Sequence, residues 1–148
     1  MIIKEVRTLS LQQLDDLLSL MKELTTDAVV TPELLQRTVT EHNSHFFAAL
    51  SDENRIVGCA TLCVYDSPTG RKASVEDVVV SSECRGQGLG KALMEHLIAY
   101  ARKELGDVDL HLTSRPHRVA ANELYQKLGF TKKETNVYVM KLIKEVPQ

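Results

Sequence analysis

The sequence predicts an α/β (α+β) fold, in which a mixed, mostly antiparallel central sheet of about 6–7 strands is flanked by about four helices. Three consecutive strand patterns, at 45–51, 55–65 and about 72–80, are separated only by short polar turns, which favours antiparallel neighbours. A glycine-rich turn and a long helical pattern follow the third strand, and this strand–loop–helix unit is typical of a mixed sheet. We expect a single domain over residues 1–148.

The ends of the chain supply the remaining elements. Residues 2–8 alternate between apolar and polar side chains, which predicts a first strand. A capping-box pattern at Ser10 and Gln13 opens a first helix, and Thr31-Pro32 opens a second. After the glycine-rich turn we expect a helix over 89–105, a strand over 108–113, a helix from about Pro116 to Leu128, and a last strand over 135–143.

Composition excludes several classes of protein. The net charge is −2, whereas general nucleic-acid affinity requires a basic face. No run approaches the roughly 18 apolar residues of a membrane span, and residues 1–20 lack the order of a signal peptide, so we expect a cytoplasmic protein. The 3 cysteines form no CxxC pair, and the histidines show no metal-binding spacing. We therefore expect reduced thiols and no metal.

The glycine-rich turn is the feature with the strongest chemical implication. Gly86, Gly88 and Gly90 stand at a strand-to-helix junction, where the first N–H groups of the helix and its dipole favour an anion. Arg85 and Lys91 add two cations at its rim. A Walker phosphate loop is excluded by Arg85 and by Ala92, and a dinucleotide fingerprint is excluded by Lys91. The turn is interpreted as a diphosphate cradle, and the alternative is a flexible turn without a ligand.

The motif around this turn resembles the signature of the GNAT superfamily of acetyl-CoA-dependent N-acetyltransferases. The signature Arg/Gln-x-x-Gly-x-Gly/Ala is matched by Arg85, Gly88 and Gly90, and a second family segment is matched by residues 120–130. The resemblance implies a GNAT-like domain over residues 1–148 with acetyl-CoA as cosubstrate. It implies that CoA is bound by the backbone of Val78 and Val80, by Asn122, and by Arg85, Gly86, Gln87, Gly88, Gly90 and Lys91.

The same resemblance points to two catalytic residues. Acetyl transfer from a thioester requires a neutral amine, a stabilised oxyanion and a protonated leaving thiolate. Tyr125 matches the family tyrosine that points at the CoA sulfur, and a phenol stays protonated at neutral pH. Glu76, on the strand before the turn, is the expected general base, directly or through a water; its neighbour Asp77 is the weaker alternative. The structural alternatives are a core tyrosine and a solvated carboxylate.

The leading hypothesis is therefore acetyl transfer to a primary amine by direct attack in a ternary complex, and the alternative is a non-catalytic acyl-CoA-binding module. The acceptor is expected to be a small-molecule amine or a peptide amine, with no nucleic-acid or membrane partner; a homodimer stays open. The strand and turn are also similar to glucosamine-6-phosphate N-acetyltransferase. In that family the spacing that corresponds to Pro116–Tyr125 is shorter, which argues against a sugar phosphate acceptor.

Overall fold

A computed structural model describes residues 1–144. The chain forms two compact units, of which the first is Met1–Thr113 and the second begins at Ser114. The expectation of a single domain over residues 1–148 stays a prediction. Within residues 1–144, no helix has the length and apolar character needed to cross a membrane.

The first unit is built on a five-stranded sheet whose strands lie in chain order. Neighbouring strands are antiparallel from the first to the fourth, and the fifth joins the fourth in parallel. This arrangement confirms the predicted mixed, mostly antiparallel class. The strands are β1 (Ile2–Glu5), β2 (Ser44–Leu50), β3 (Ile56–Ser67), β4 (Gly70–Val80) and β5 (Asp109–His111).

The described residues also form four α-helices and a 3₁₀ turn. The predicted capping box is present at the first helix, where Ser10 Oγ accepts from the Gln13 N–H at 3.1 Å and Gln13 Oε1 accepts from the Ser10 N–H at 3.1 Å. Thr31 caps the second helix by accepting from the Leu34 N–H at 3.2 Å. The helices are α1 (Leu11–Leu24), α2 (Pro32–Thr40), α3 (Leu89–Glu104) and α4 (Val119–Lys127), and the 3₁₀ turn is Ser82–Cys84.

Helices cover both faces of the sheet in the first unit. Phe46 belongs to the core cluster that β2 shares with α1 and α2. Its neighbour Phe47 points to the opposite face and meets His96 and Tyr100 of α3 edge-on. Close approach of α3 depends on Gly58 of β3, because a Cβ atom there would lie 3.3 Å from Leu93 Cδ1 and 3.2 Å from the Val79 carbonyl oxygen. Gly58 therefore sets how deeply α3 lies on the sheet.

The predicted number of strands is too high, because residues 1–144 contain five. The strand expected at 135–143 is absent, and its large apolar side chains are 66–88% exposed. Alternating apolar residues favour a strand, but a strand forms only where another strand pairs with it. No strand of residues 1–144 pairs with this segment.

The second unit contains α4 and the turn that ends it. Gly129 has a φ of +107°, as expected for a glycine that follows a helix. Its N–H donates to the Gln126 carbonyl at 3.1 Å, and the Phe130 N–H donates to the Tyr125 carbonyl at 3.0 Å. These bonds end α4 firmly and place Phe130 back against the helix.

Candidate active site

A β-bulge interrupts β4 just before the glycine-rich turn. Val79 pairs with Cys59, and Glu76 pairs with Thr61. Asp77 and Val78 together therefore oppose the single residue that lies between Cys59 and Thr61 on β3. Asp77 has a φ of +52°, a left-handed conformation that aspartate tolerates better than most residues. The bulge re-aims the backbone at Asp77 and Val78, and bulges of this kind are common beside active sites.

One edge of β4 has no strand neighbour around the bulge. Only Lys72–Ser74 pair with β5, so among the described residues β4 has a strand neighbour on one side only from Val75 to Val80. Backbone groups on that side are free to bind a ligand in an extended conformation. The Val80 carbonyl is an exception, because it accepts a hydrogen bond from Arg85 Nε at 3.3 Å.

Two residues of the glycine-rich turn adopt a left-handed backbone conformation. Gly86 and Gly88 have φ values of +81° and +75°, and a Cβ atom at either position would meet no atom within 4 Å. Gly88 is the N-cap of α3, and no side chain caps this helix. The first main-chain bond of α3 runs from the Ala92 N–H to the Gly88 carbonyl at 3.0 Å, which leaves the first-turn N–H groups without helical partners.

Charged side chains surround this turn. Arg85, Gln87 and Lys91 are exposed, and Lys91 Nζ lies 3.7 Å from Glu95 Oε1, one turn along α3. The two cations flank the turn in the chain, with Arg85 before it and Lys91 in the first turn of α3, and the helix dipole favours negative charge at this end. The predicted residues follow one another through the turn into the start of α3, and their binding of a cofactor stays a prediction; they are Arg85, Gly86, Gln87, Gly88, Gly90 and Lys91.

The entrance to the turn is fixed by a contact that the sequence did not reveal. Glu23, near the end of α1, accepts a hydrogen bond from the Ser82 N–H at 3.1 Å. Hydrogen bonds from the Ser82 side chain and backbone, together with the nearby charge of Arg85, lower the pKa of Glu23. Glu23 and Ser82 are 59 residues apart, so no local sequence signal could have paired them.

The two carboxylates of β4 differ in their surroundings. Glu76 Oε1 accepts a hydrogen bond from Ser74 Oγ at 2.5 Å, which holds the carboxylate in one orientation. Asp77 is exposed as a residue, but partial burial of its carboxylate, followed by the like charge of Glu76, raises its pKa. Both side chains lie at the bulge, at the open edge of β4. Their catalytic roles stay predictions.

Tyr125 and Asn122 belong to the second unit. The Tyr125 residue is 8% exposed and meets Phe130 edge-on, with ring centroids 6.2 Å apart, and its hydroxyl makes no hydrogen bond within residues 1–144. Asn122 Nδ2 donates to the carbonyls of Arg115 and Arg118 at 3.0 and 2.9 Å. Asn122 therefore fixes the start of α4 with its nitrogen, and its Oδ1 takes no part in these bonds.

The thiols near the site have poor nucleophilic character. Cys59 is completely buried, and this burial, with the nearby charge of Asp77, raises its pKa to about 12. Burial also raises the pKa of Cys63. Because the thiolate is the nucleophilic form, neither residue is suited to carry an acetyl group.

Comparison with known proteins identifies the family of the chain. The Acetyltransferase (GNAT) family matches residues 11–130. The chain is 32% identical over 101 residues to N-acetyltransferase 8B from Rattus norvegicus, which covers 68% of this chain and 45% of the relative. It is 33% identical over 117 residues to N-acetyltransferase family 8 member 2 from the same organism, with 77% and 50% covered. The chain thus spans about half the length of these curated relatives.

A solved structure agrees with these sequence matches. The acetyltransferase from Trypanosoma brucei superposes with a TM-score of 0.74 at 26% identity, over 94% of this chain and 98% of that one. The match to residues 11–130 includes β4, the glycine-rich turn and α4. The chain therefore belongs to the GNAT family of acetyltransferases.

Proposed function

We propose that this chain is an N-acetyltransferase that moves the acetyl group of acetyl-CoA to a primary amine. The observation that carries the proposal is the continuous surface formed by the bulged, open edge of β4 and the uncapped start of α3. An extended pantetheine arm suits the open strand edge, and a diphosphate suits the N–H groups and cations at the helix start. The names of the curated relatives support transfer to nitrogen.

The proposed chemistry is direct attack of the amine on the thioester carbonyl. The C–N bond forms first and gives a tetrahedral oxyanion, which the N–H groups at the bulge stabilise; the C–S bond breaks when this intermediate collapses. Glu76 takes the amine proton, directly or through a water, and the orientation imposed by Ser74 supports this role. Tyr125 donates its proton to the departing thiolate, and this assignment is supported by its hydroxyl, which makes no hydrogen bond within residues 1–144.

The acceptor is proposed to be a small-molecule amine or a peptide amine. A panel should therefore include a polyamine, an aminoglycoside, free amino acids, glucosamine 6-phosphate and peptides with a free α-amine or lysine. Released CoA should be separated by chromatography, because the protein has 3 cysteines that would react with a thiol reagent. The acetylated acceptor is identified by its mass.

The competing function is an acyl-CoA-binding module without turnover. We expect CoA release that depends on one class of amine and yields one acetylated product for each CoA. Saturable binding of acetyl-CoA without CoA release for any amine would contradict the enzymatic proposal and favour the binding module. Absence of acetyl-CoA binding to the folded protein would contradict both.

A further inference from the structure

A short 3₁₀ turn, Ser82–Cys84, connects the bulged strand β4 to the glycine-rich turn. The connection starts on the sheet, because the Ser81 N–H donates to the Val57 carbonyl of β3 at 2.8 Å. Ser81 is the N-cap of the 3₁₀ turn, but its side chain makes no capping hydrogen bond. The N–H of Ser82, the first residue of the turn, is therefore left without a local acceptor.

Glu23, near the end of α1, supplies that acceptor. Its Oε1 accepts from the Ser82 N–H at 3.1 Å, as a capping side chain does, although the two residues are 59 positions apart. Hydrogen bonds from the Ser82 side chain and backbone, and then the nearby charge of Arg85, lower the pKa of this carboxylate. Glu23 thus contacts the first residue of the 3₁₀ turn and lies close to the residue that follows its last.

The glycine-rich turn is not packed on the side where a side chain would lie. A Cβ atom at Gly86 or Gly88 would meet no atom within 4 Å. The position of the turn therefore depends on the segments on either side of it. On one side, α3 packs on the sheet through the fully buried Leu93. On the other side, the 3₁₀ turn is held by the hydrogen bonds of Ser81 and Ser82, so loss of the Glu23 contact should let the glycine-rich turn shift.

We propose, on the basis of the function proposed above, that Glu23 is a positioning residue for the diphosphate of the cofactor. By holding Ser82, it keeps the N–H groups of the glycine-rich turn in the arrangement that binds the two phosphates. Simple electrostatics predicts the opposite effect. Removal of a negative charge near a phosphate site should strengthen anion binding, whereas removal of a bond that positions the N–H donors should weaken it.

The first experiment measures the affinity for CoA by calorimetric titration at one salt concentration. We expect Glu23→Ala to weaken binding by about tenfold, the effect of losing a good helix cap. Glu23→Gln keeps an oxygen for the Ser82 N–H but has no charge, so it should bind CoA at least as tightly as the natural protein. Asp15→Ala is the matched control, because it removes an exposed carboxylate from the same helix and should leave the affinity unchanged.

The outcomes of this titration separate the positioning role from the proposed function. CoA binding by Glu23→Ala as tight as in the natural protein, or tighter, would overturn the positioning role. A loss in Glu23→Gln as large as in Glu23→Ala would also overturn it. Failure of the natural protein itself to bind CoA would contradict the proposed function, and the positioning role with it.

A second variant removes the same hydrogen bond from its donor side and serves if Glu23→Ala fails to fold. Proline in place of Ser82 has no N–H, and Ser81 already has a ψ of 139°, the extended conformation that precedes proline. We expect Ser82→Pro to weaken CoA binding as much as Glu23→Ala, and the double variant to bind no more weakly than either. Additive losses would show that the two residues act separately, and would overturn the positioning role.

The last experiment compares two acetyl donors with the amine that the acceptor panel identifies. S-acetylpantetheine has the same thioester arm as acetyl-CoA but no diphosphate. We expect Glu23→Ala to lower kcat/KM for acetyl-CoA by raising KM, and to leave kcat/KM for S-acetylpantetheine unchanged. Equal losses for the two donors would overturn the positioning role, because a general loss of folded protein affects both donors alike.

Discussion

At the scale of single residues, Tyr125 and Glu76 are the groups to which the proposed chemistry assigns proton transfer. Their environments differ in a way that suits these roles. Tyr125 has a buried ring and a hydroxyl without a hydrogen bond in residues 1–144, so the hydroxyl can serve a ligand. Glu76 is exposed but held by Ser74, so it can meet an acceptor that arrives from solvent.

Replacing Tyr125 with phenylalanine removes the proposed proton donor and keeps the ring that packs on Phe130. We expect kcat to fall by about 100-fold, in the range of general acid catalysis, while KM for acetyl-CoA stays the same. Steady-state kinetics measure both constants. Tyr65→Phe is the matched control, because Tyr65 is 49% exposed on β3 and should be replaceable without effect. An unchanged kcat in Tyr125→Phe would remove this residue from the mechanism.

Replacing Glu76 with glutamine keeps its shape and removes the base. We expect kcat/KM for the amine to fall by about 100-fold at neutral pH, with acetyl-CoA binding unaffected. Asp77→Asn is the control, since asparagine tolerates the left-handed conformation of this position and should preserve the bulge. Amine-dependent CoA release measures both variants. Equal losses, or a loss only in Asp77→Asn, would assign the base differently.

At the scale of elements, the start of α3 differs from the starts of α1 and α2 in having no side-chain cap. Ser10 and Thr31 cap α1 and α2 with their side chains, whereas Gly88 leaves the first turn of α3 open. The bulge in β4 and the contact of Glu23 with Ser82 position this open end at the edge of the sheet. The local stability that a capping side chain supplies is absent here, and the N–H groups stay available for an anion.

Gly88 and Gly106 form a matched pair for testing the cradle. Their φ values are +75° and +68°, and a Cβ atom at either would meet nothing within 4 Å. Alanine at either position should cost about 1–2 kcal/mol of folding free energy through backbone strain. We expect only Gly88→Ala to weaken acetyl-CoA binding, by about tenfold or more, because it moves the helix-start amides. Calorimetric titration measures this, and equal affinities for the two variants would argue against the cradle.

At the scale of the whole molecule, stability at low pH depends on an ion pair that joins α1 to Arg55, the residue just before β3. Asp16 accepts hydrogen bonds from Arg55 Nε at 2.9 Å and from the Ile56 N–H at 3.0 Å. Burial opposes ionisation of Asp16, but the bonds and charge of Arg55 and the Ile56 amide outweigh it and lower its pKa. The stabilisation is therefore full above the unfolded pKa of about 3.9 and is lost as pH falls through the folded value.

Replacing Asp16 with asparagine should lower the free energy of unfolding at pH 7 by about 2–3 kcal/mol, since Arg55 and the Ile56 amide lose a charged partner. The difference from the natural protein should shrink as the pH falls below about 4. Urea denaturation across pH measures this trend. Asp66→Asn is the control, because it breaks an exposed ion pair with Arg71 and should change the free energy of unfolding little. A difference that is constant with pH would contradict the assigned charge effect.

Local patterns were sufficient to predict much of the architecture. The capping residues at Ser10 and Thr31 and the antiparallel hairpins all follow from interactions within a few residues. The bulge at Asp77 does not, because the sequence 75–80 fits a regular strand as well as a bulged one. Only the pairing with β3 distinguishes the two.

The remaining features depend on distant partners. The contact of Glu23 with Ser82 and the close approach at Gly58 each join segments that are far apart in the chain. The same reason explains the error at 135–143, where an alternating pattern predicts a strand but says nothing of a neighbour. Tyr125 was found only through the family resemblance, because a buried helix tyrosine has no distinctive local signal.

The complete burial of Cys59 has a practical consequence for measuring how the protein unfolds. Its thiol is fully buried, with a pKa of about 12, whereas Cys63 and Cys84 are partly accessible. An alkylating reagent can therefore reach Cys59 only when the sheet opens, and its rate of modification equals the opening rate when alkylation is faster than reclosing. The chain thus carries a natural probe of unfolding that requires neither an introduced cysteine nor a denaturant.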